Sequence, residues 1–275
     1  KDQVDQADMA ADDMLKAELE EKLTGLQSRL DMFRKIRNFD KPRRNYDALQ
    51  VTLKKRYSKD FFVQASYTYS KTEGNYPGLF SPDTGQLDPN ITSQYDLIEL
   101  LANRDGRLPH DRPHVIKVDG YYIFDLKEAG QVTVGARLRA QSGVPIGALG
   151  RHAVYGYNES FILPRGSFGR TDLLAFADLH VGYGRKLAKD MTLEVFFDIF
   201  NVLNRQTEWS VDTGYTYDPV NPIVGGTKED LPYLKRLNRS TIAETGDTAS
   251  KNVNFRNLTS RMNPLYGRLG IQLRF

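Results

Sequence analysis

Phe61-Phe62-Val63-Gln64-Ala65-Ser66-Tyr67-Thr68-Tyr69-Ser70 is the stretch on which the reading of the fold turns. Side chains alternate between the two faces of an extended strand, so Phe61, Val63, Ala65, Tyr67 and Tyr69 share one face. Phe62, Gln64, Ser66, Thr68 and Ser70 share the other. Strict alternation over ten residues exceeds the usual strand of about five or six. Such a strand spans about 33 Å, or about 23 Å when tilted by ~45°, close to the apolar band of a transmembrane barrel.

The same period recurs along the chain. Leu49, Val51 and Leu53 alternate with Gln50, Thr52 and Lys54, and the polar turn Ser58-Lys59-Asp60 joins this run to the first. Ile116, Val118, Gly120, Tyr122 and Phe124 oppose Lys117, Asp119 and Tyr121; after the turn Asp125–Gly130, Val132, Val134, Ala136, Leu138 and Ala140 oppose Thr133, Gly135, Arg137, Arg139 and Gln141. Ala177, Leu179, Val181 and Tyr183 oppose Asp178, His180, Gly182 and Gly184, and a turn near Ala188–Asp190 leads into Leu193, Val195, Phe197 and Ile199 against Thr192, Glu194, Phe196 and Asp198. The chain closes on Leu269, Ile271, Leu273 and Phe275 alternating with Arg268, Gly270, Gln272 and Arg274.

Seven long strands follow, joined alternately by short polar turns and by connections over 72–113, 144–172 and 205–264. Long structureless loops are uncommon in compact domains, whereas outer-membrane barrels pair tight periplasmic turns with long extracellular loops. The alternative is a soluble β-sandwich adhesion or ligand-binding module with the apolar sets in its core. Small residues in those sets (Ala65, Gly120, Ala136, Ala140, Ala177) suit lipid contact better than a sandwich interior. Aromatics also gather at strand ends (Tyr57, Phe61, Tyr69, Tyr122, Phe124, Tyr183, Phe200), where a membrane-interface girdle would place them. The fold expected is all-β, part of a large antiparallel transmembrane β-barrel. A single-chain bacterial barrel needs an even number of strands, and open edges leave backbone groups unpaired in lipid. Residues 44–275 are therefore expected to be the C-terminal part of a larger barrel.

Residues 1–43 differ. The first forty carry 7 Lys/Arg and 10 Asp/Glu, net −3, while the remainder carries +6. Leu15, Leu19, Leu23, Leu26, Leu30 and Phe33 recur at helical spacing, which predicts an amphipathic helix over about 5–36. Gly25 is expected to weaken or divide it. Packing on neighbouring elements is the simpler role for the stripe, and a coiled-coil arm the alternative. Strand counting puts this segment in an extracellular loop.

Composition narrows the function classes. Mean hydropathy is −0.53 and the longest apolar run, Leu173–Ala177, is far short of the ~20 residues of a spanning helix. The net charge of +3 from 38 basic and 35 acidic residues argues against a nucleic-acid binder. The absence of cysteine removes disulfides and thiolate chemistry, and no glycine-rich phosphate loop joins a strand to a helix. No cofactor is expected.

Arg44-Asn45-Tyr46-Asp47-Ala48-Leu49, Ala65–Lys71, Asp111-Arg112-Pro113-His114, Gln141-Ser142-Gly143-Val144-Pro145 and Phe197–Asn204 resemble strand phrases of TonB-dependent outer-membrane receptors. Gly74–Phe80, Asp83–Asn90 and Asn103-Arg104-Asp105-Gly106 resemble the Oar-like subgroup. The resemblance covers about residues 44–275. It implies a plugged barrel of 22 strands in the outer membrane of a Gram-negative bacterium, moving a large substrate or a protein, and no enzymatic activity. The implied partners are outer-membrane lipid, a TonB-type energy-transducing protein acting through a plug outside this chain, and the barrel-assembly machinery, which reads the C-terminal strand at Leu273 and Phe275.

On this reading Lys117, Asp119, Arg137, Arg139, Asp178, His180, Glu194 and Asp198 face the lumen as cross-strand charge ladders that hold the plug. Tyr76, Phe80, Tyr95, Tyr155, Tyr157, Tyr215 and Tyr217 are loop residues placed to touch cargo, with mutual loop packing as the alternative. An outer-membrane hydrolase is a third reading, with His180 as base and Asp178 as its orienter, but no Ser stands in a nucleophile setting. His110 and His114 around Asp111 suggest a metal only weakly. Asp83, Asp88 and Asn90 with Gly85 offer oxygen ligands to calcium without the EF-hand spacing.

Overall fold

The computed structural model describes residues 2–34, 39–83, 86–87, 90–188 and 190–275. Among these, seven long strands form one antiparallel sheet in chain order: β1 (Arg44–Ser58), β2 (Phe61–Gly74), β3 (His114–Asp125), β4 (Gln131–Gln141), β5 (Leu174–Ala188), β6 (Met191–Phe200) and β7 (Tyr266–Arg274). A short strand, Gly106–Arg107, extends β2 at Glu73–Gly74. All three tight turns lie at one end of the sheet and the long connections at the other.

The pairing register carries the alternation across the whole sheet. One row runs Val51–Tyr67–Ile116–Ala140–Ala175, and another runs Val134–Val181–Phe197–Leu269. The opposite face holds Thr52–Ser66–Lys117–Arg139 and Gly135–His180–Asp198–Arg268. A slip of one residue at any pair would turn that strand's apolar set onto the polar face. The apolar face is open: Leu53, Leu269 and Ile271 are 69%, 69% and 71% exposed. No second sheet covers it among the described residues, so a sandwich is not formed. The sheet is an open section of barrel wall, with one edge of β1 and one of β7 unpaired.

Two expected girdle residues belong to the polar face instead. A register shift between Lys55 and Ser58 turns Tyr57 onto Tyr121, with ring centroids 6.1 Å apart. Phe200 stacks on its cross-strand partner Tyr266 at 4.7 Å. Phe61, Tyr122, Phe124 and Tyr183 lie on the apolar face at the tight-turn end, and Tyr69 lies on it at the other end beside Tyr67 and His114.

The buried apolar core lies outside the sheet. Ala148, Ile162, Leu163, Tyr215, Val220, Leu231, Leu234 and Phe255 cluster within the long connections. These connections carry structure of their own, including a three-stranded sheet over Leu149–His152, Gly156–Phe161 and Gly214–Pro219. They form a packed cap over one end of the wall.

Helix α1 (Asp2–Arg34) is continuous through Gly25. That glycine is buried against Thr241 of the third connection; a Cβ there would sit 2.7 Å from Thr241 Cα. The helix thus meets the cap through this small residue and not through the leucine stripe. Leu15, Leu19, Leu23 and Leu26 are 54–61% exposed, so the expected packing of the stripe on neighbouring elements is absent among the described residues. The side chains of Leu30 and Phe33 lie outside the described residues.

Candidate functional site

The polar face of the wall is organised by cross-strand ion pairs, as opposite side chains on paired strands lie about 4.5–5.5 Å apart. Arg139 on β4 donates through Nη2 to both oxygens of Asp119 on β3, at 2.8 and 2.9 Å, and Arg137 Nε approaches the same carboxylate at 3.4 Å. Lys117 stands opposite Arg139 and makes no ion pair among the described residues. Arg268 on β7 donates to Asp198 at 2.6 and 3.0 Å, and Arg274 reaches Glu194 at 2.7 Å.

His180 does not make the pair that the hydrolase reading needs. Its Nδ1 lies 2.7 Å from Asp198 Oδ1, across the β5–β6 pair. Asp178, two residues away on the same strand, instead accepts the Asn201 backbone N–H at 2.9 Å. Same-face neighbours along a strand are separated by two rises, about 6.6 Å, so the cross-strand carboxylate is the nearer partner. The hydrolase reading thereby loses Asp178 as orienter.

Aromatic rings interleave with these charges. Phe62 stacks on Tyr121 at 5.5 Å, and His180 lies 5.7 Å from Phe196. Phe196 lies over its cross-strand partner Gly270, where any Cβ would enter the ring. Arg268 covers both Phe196 and Phe200, 5.7 and 5.6 Å from their centroids.

The cap is pinned by polar groups from distant connections. Asn103, at φ +60°, points its amide nitrogen at the carbonyls of Phe161, Ile162 and Ile223, at 3.1, 3.1 and 2.9 Å. Its Oδ1 accepts the Gly225 N–H at 3.2 Å. Arg104 pairs with Glu159 at 2.8 Å, both side chains under 10% exposed, and burial pushes the guanidinium below its ordinary pKa against the pull of Glu159. Arg165 reaches Asp83 at 2.8 Å, and Arg104 and Arg165 both lie against the Phe161 ring, at 4.7 and 4.5 Å. The fully buried Asp111 accepts the Thr72 N–H at 2.7 Å and pairs with Arg170. One oxygen of that carboxylate takes the backbone N–H and the other faces Arg170 and Arg107, while His114 Nδ1 lies 2.9 Å from Tyr67 Oη. Of the calcium set, Gly85 and Asp88 lie outside the described residues.

The loop aromatics separate into three kinds. Tyr215 is 7% exposed and packs edge-on against Phe255 at 5.2 Å, so it is cap core and not available to a ligand. Tyr76, Tyr95 and Tyr155 are half-buried; Tyr155 donates to Asp96 at 2.7 Å, and burial first, then that carboxylate, pushes its hydroxyl pKa up to about 12. Phe80, Tyr157 and Tyr217 are exposed, the two tyrosines meeting edge-on at 5.5 Å with Arg151 over Tyr157 at 4.6 Å. At the other end, Leu273 pairs with Leu193, and Phe275 projects beyond the last ladder pair, 91% exposed. Arg268 and Arg274 were missed as site residues, although their alternation in the last strand was the available signal. Asn103 and Arg104 stand in a phrase that resembles the Oar-like subgroup, but nothing beside them in the chain announces partners as distant as Glu159 and Ile223.

Comparison with known proteins agrees with this geometry. An outer membrane beta barrel domain family matches residues 17–139. The TonB-dependent transporter Oar of Myxococcus xanthus is 42% identical over 243 residues, which cover 86% of this chain and 23% of the transporter. No solved structure matches the chain significantly. A wall with one lipid-compatible face, matched by that family and that relative, places the chain in the outer membrane of a Gram-negative bacterium, among the β-barrel proteins related to the TonB-dependent transporter Oar.

Proposed function

We propose that the chain is wall and extracellular cap of a larger plugged barrel that moves a large substrate or a protein across the outer membrane. Energy arrives from a TonB-type partner acting on the plug. The observation that carries this reading is the single polar face running through all seven strands, studded with ion pairs and rings. A closed barrel presents such a face to its interior, and the free edges of β1 and β7 call for further strands, since unpaired backbone groups cost several kcal/mol each in lipid.

On this reading Lys117, Asp119, Arg137, Arg139, Asp178, His180, Glu194 and Asp198 line the lumen, with Lys117 and Arg137 the cations freest to meet acidic groups of a plug. The long connections are extracellular and meet cargo through Phe80, Tyr157 and Tyr217. Helix α1 belongs to the same side, which its contact with Thr241 supports. Leu273 and Phe275 present the terminal strand to the assembly machinery. The activity is transport without bond chemistry.

The test is removal of 144–172 from the intact barrel that carries this chain. Transport should fall at least tenfold while membrane insertion persists, and dissipating the proton gradient should give the same loss. Unchanged transport would take the cap out of the account.

A further inference from the structure

Arg165 sits where the three long connections of the cap meet, and its side chain is only 3% exposed. Its Nε donates to the Arg104 carbonyl at 2.9 Å and its Nη1 to Asp83 at 2.8 Å. The remaining nitrogen, Nη2, is buried and has no partner among the described residues. The side chain lines an enclosed space of about 20 Å³ with Asp83 and Arg107 of the first connection, Gly147 and Gly166 of the second and Thr213 of the third. Leu149 and Phe161 make its apolar wall. Two guanidiniums thus face one carboxylate. Asp83 is engaged by Arg165, and the carboxylate that Arg107 reaches, Asp111 at 3.5 Å, already pairs with Arg170.

We infer that this space binds a chloride ion, which ties the three connections of the cap together. One water needs about 10–15 Å³, so the space admits a single small occupant and excludes phosphate, a carboxylate or anything longer. A water molecule would satisfy the Nη2 hydrogen. It would leave the surplus positive charge of the lining uncompensated beside Leu149 and Phe161, where unpaired charge is costly. A monatomic anion meets both needs, because it accepts from several donors at once and carries the missing charge. Donors come from every connection: Arg107, Arg165 Nη2, the Thr213 hydroxyl, and the N–H groups of Gly147 and Gly166, which have no backbone partner among the described residues. A cation would be repelled by the two guanidiniums. The site is independent of what the barrel moves.

Hydrogen exchange on the intact barrel that carries this chain, in sodium chloride and in sodium sulfate at equal ionic strength, tests the site. Sulfate is too large for the space. It is also the salt that strengthens burial in general, so a non-specific salt effect runs the opposite way. Amides at 146–149 and 161–166 should exchange at least tenfold more slowly in chloride. The dependence should saturate, since a bound ligand stabilises by RT ln(1 + [L]/Kd) and tenfold is reached at about nine times Kd. Amides of β3, β4 and β5 should not share the chloride effect. Arg107→Gln, at a half-exposed position, should raise the chloride concentration for half the effect at least fivefold. Arg165→Lys keeps a cation beside Asp83 without the second nitrogen and should abolish the dependence. Equal protection in the two salts, or greater protection in sulfate, would mean that water fills the space and would overturn the inference. So would chloride protection that Arg107→Gln leaves unchanged, or protection spread equally over β3, β4 and β5.

Discussion

Asn103→Ala tests how the cap is held. The Asn103 amide feeds the Phe161, Ile162 and Ile223 carbonyls, and its oxygen accepts from Gly225. Two amide hydrogens and one acceptor amount to about three hydrogen bonds at about 1 kcal/mol net each. Alanine also carries a left-handed penalty of about 1 kcal/mol at φ +60°. Together these give about 4 kcal/mol. Asn103→Gly escapes the backbone part and should lose about 3 kcal/mol, so alanine is worse than glycine here. Asn103→Asp should be the most damaging, since it turns an oxygen towards three carbonyl oxygens. Hydrogen exchange in detergent reads the effect amide by amide. The opening free energy should fall over 146–163 and 215–234 and stay unchanged in β3, β4 and β5. A fall below about 1 kcal/mol, or an equal fall in the strands, would refute the idea that Asn103 pins a separately cooperative cap.

Glu159→Ala strands the buried Arg104 guanidinium and should destabilise the cap by about 3–5 kcal/mol; protease susceptibility of the cap measures it, and replacing Arg104 and Glu159 together with Met and Leu should recover most of the loss. His152, 7% exposed, accepts the N–H groups of Val154 and Tyr155 through Nδ1 at 3.2 Å each, and burial lowers its pKa below 6.5. Its neutral form is favoured on folding, so its contribution is full above about pH 6.5 and disappears as pH falls through the lower folded value. Cap protection measured at pH 7.5 and 5 should therefore drop on acidification, and His152→Gln should flatten that dependence; protection that rises with acid contradicts it. Gly270→Leu forces the Phe196 ring off its partner and should destabilise the wall by about 1–3 kcal/mol, seen as earlier loss of heat-modifiable gel mobility. Adding Phe196→Ala should restore much of it.

The wall was legible because period-two alternation is local, and one residue's face predicts the next. Short polar turns then fixed which strands are hairpins, so Asp119 and Arg139 could be matched from sequence. The hairpin turn near Ala188–Asp190 makes His180 opposite Asp198 legible in the same way, which leaves the hydrolase reading's pairing of His180 with Asp178 on its own strand without a local basis. The cap was not legible in this way. Leu100, Leu108, Ile162 and Val220 follow no period, and the contacts that order them join residues as far apart as Asn103 and Ile223. Tyr215 looked like a surface aromatic because nothing near it in the chain announces the core it enters. The leucine stripe of α1 shows the converse: helical spacing predicted the helix, but not which side meets the cap.

The central claim is that the two faces of the sheet meet different media, lipid on one side and the barrel interior on the other. The chain has no native cysteine, so single cysteines can carry spin labels at Val134, Val181 and Leu269 on one face and at Arg137, Gly182 and Gln272 on the other. In the intact barrel that carries this chain, placed in lipid bilayers, collision with dissolved oxygen should be high and collision with a water-soluble nickel chelate low at the first three, and the order should invert at the second three. Equal accessibility on both faces, or an oxygen-rich environment at Arg137 and Gln272, would contradict the account.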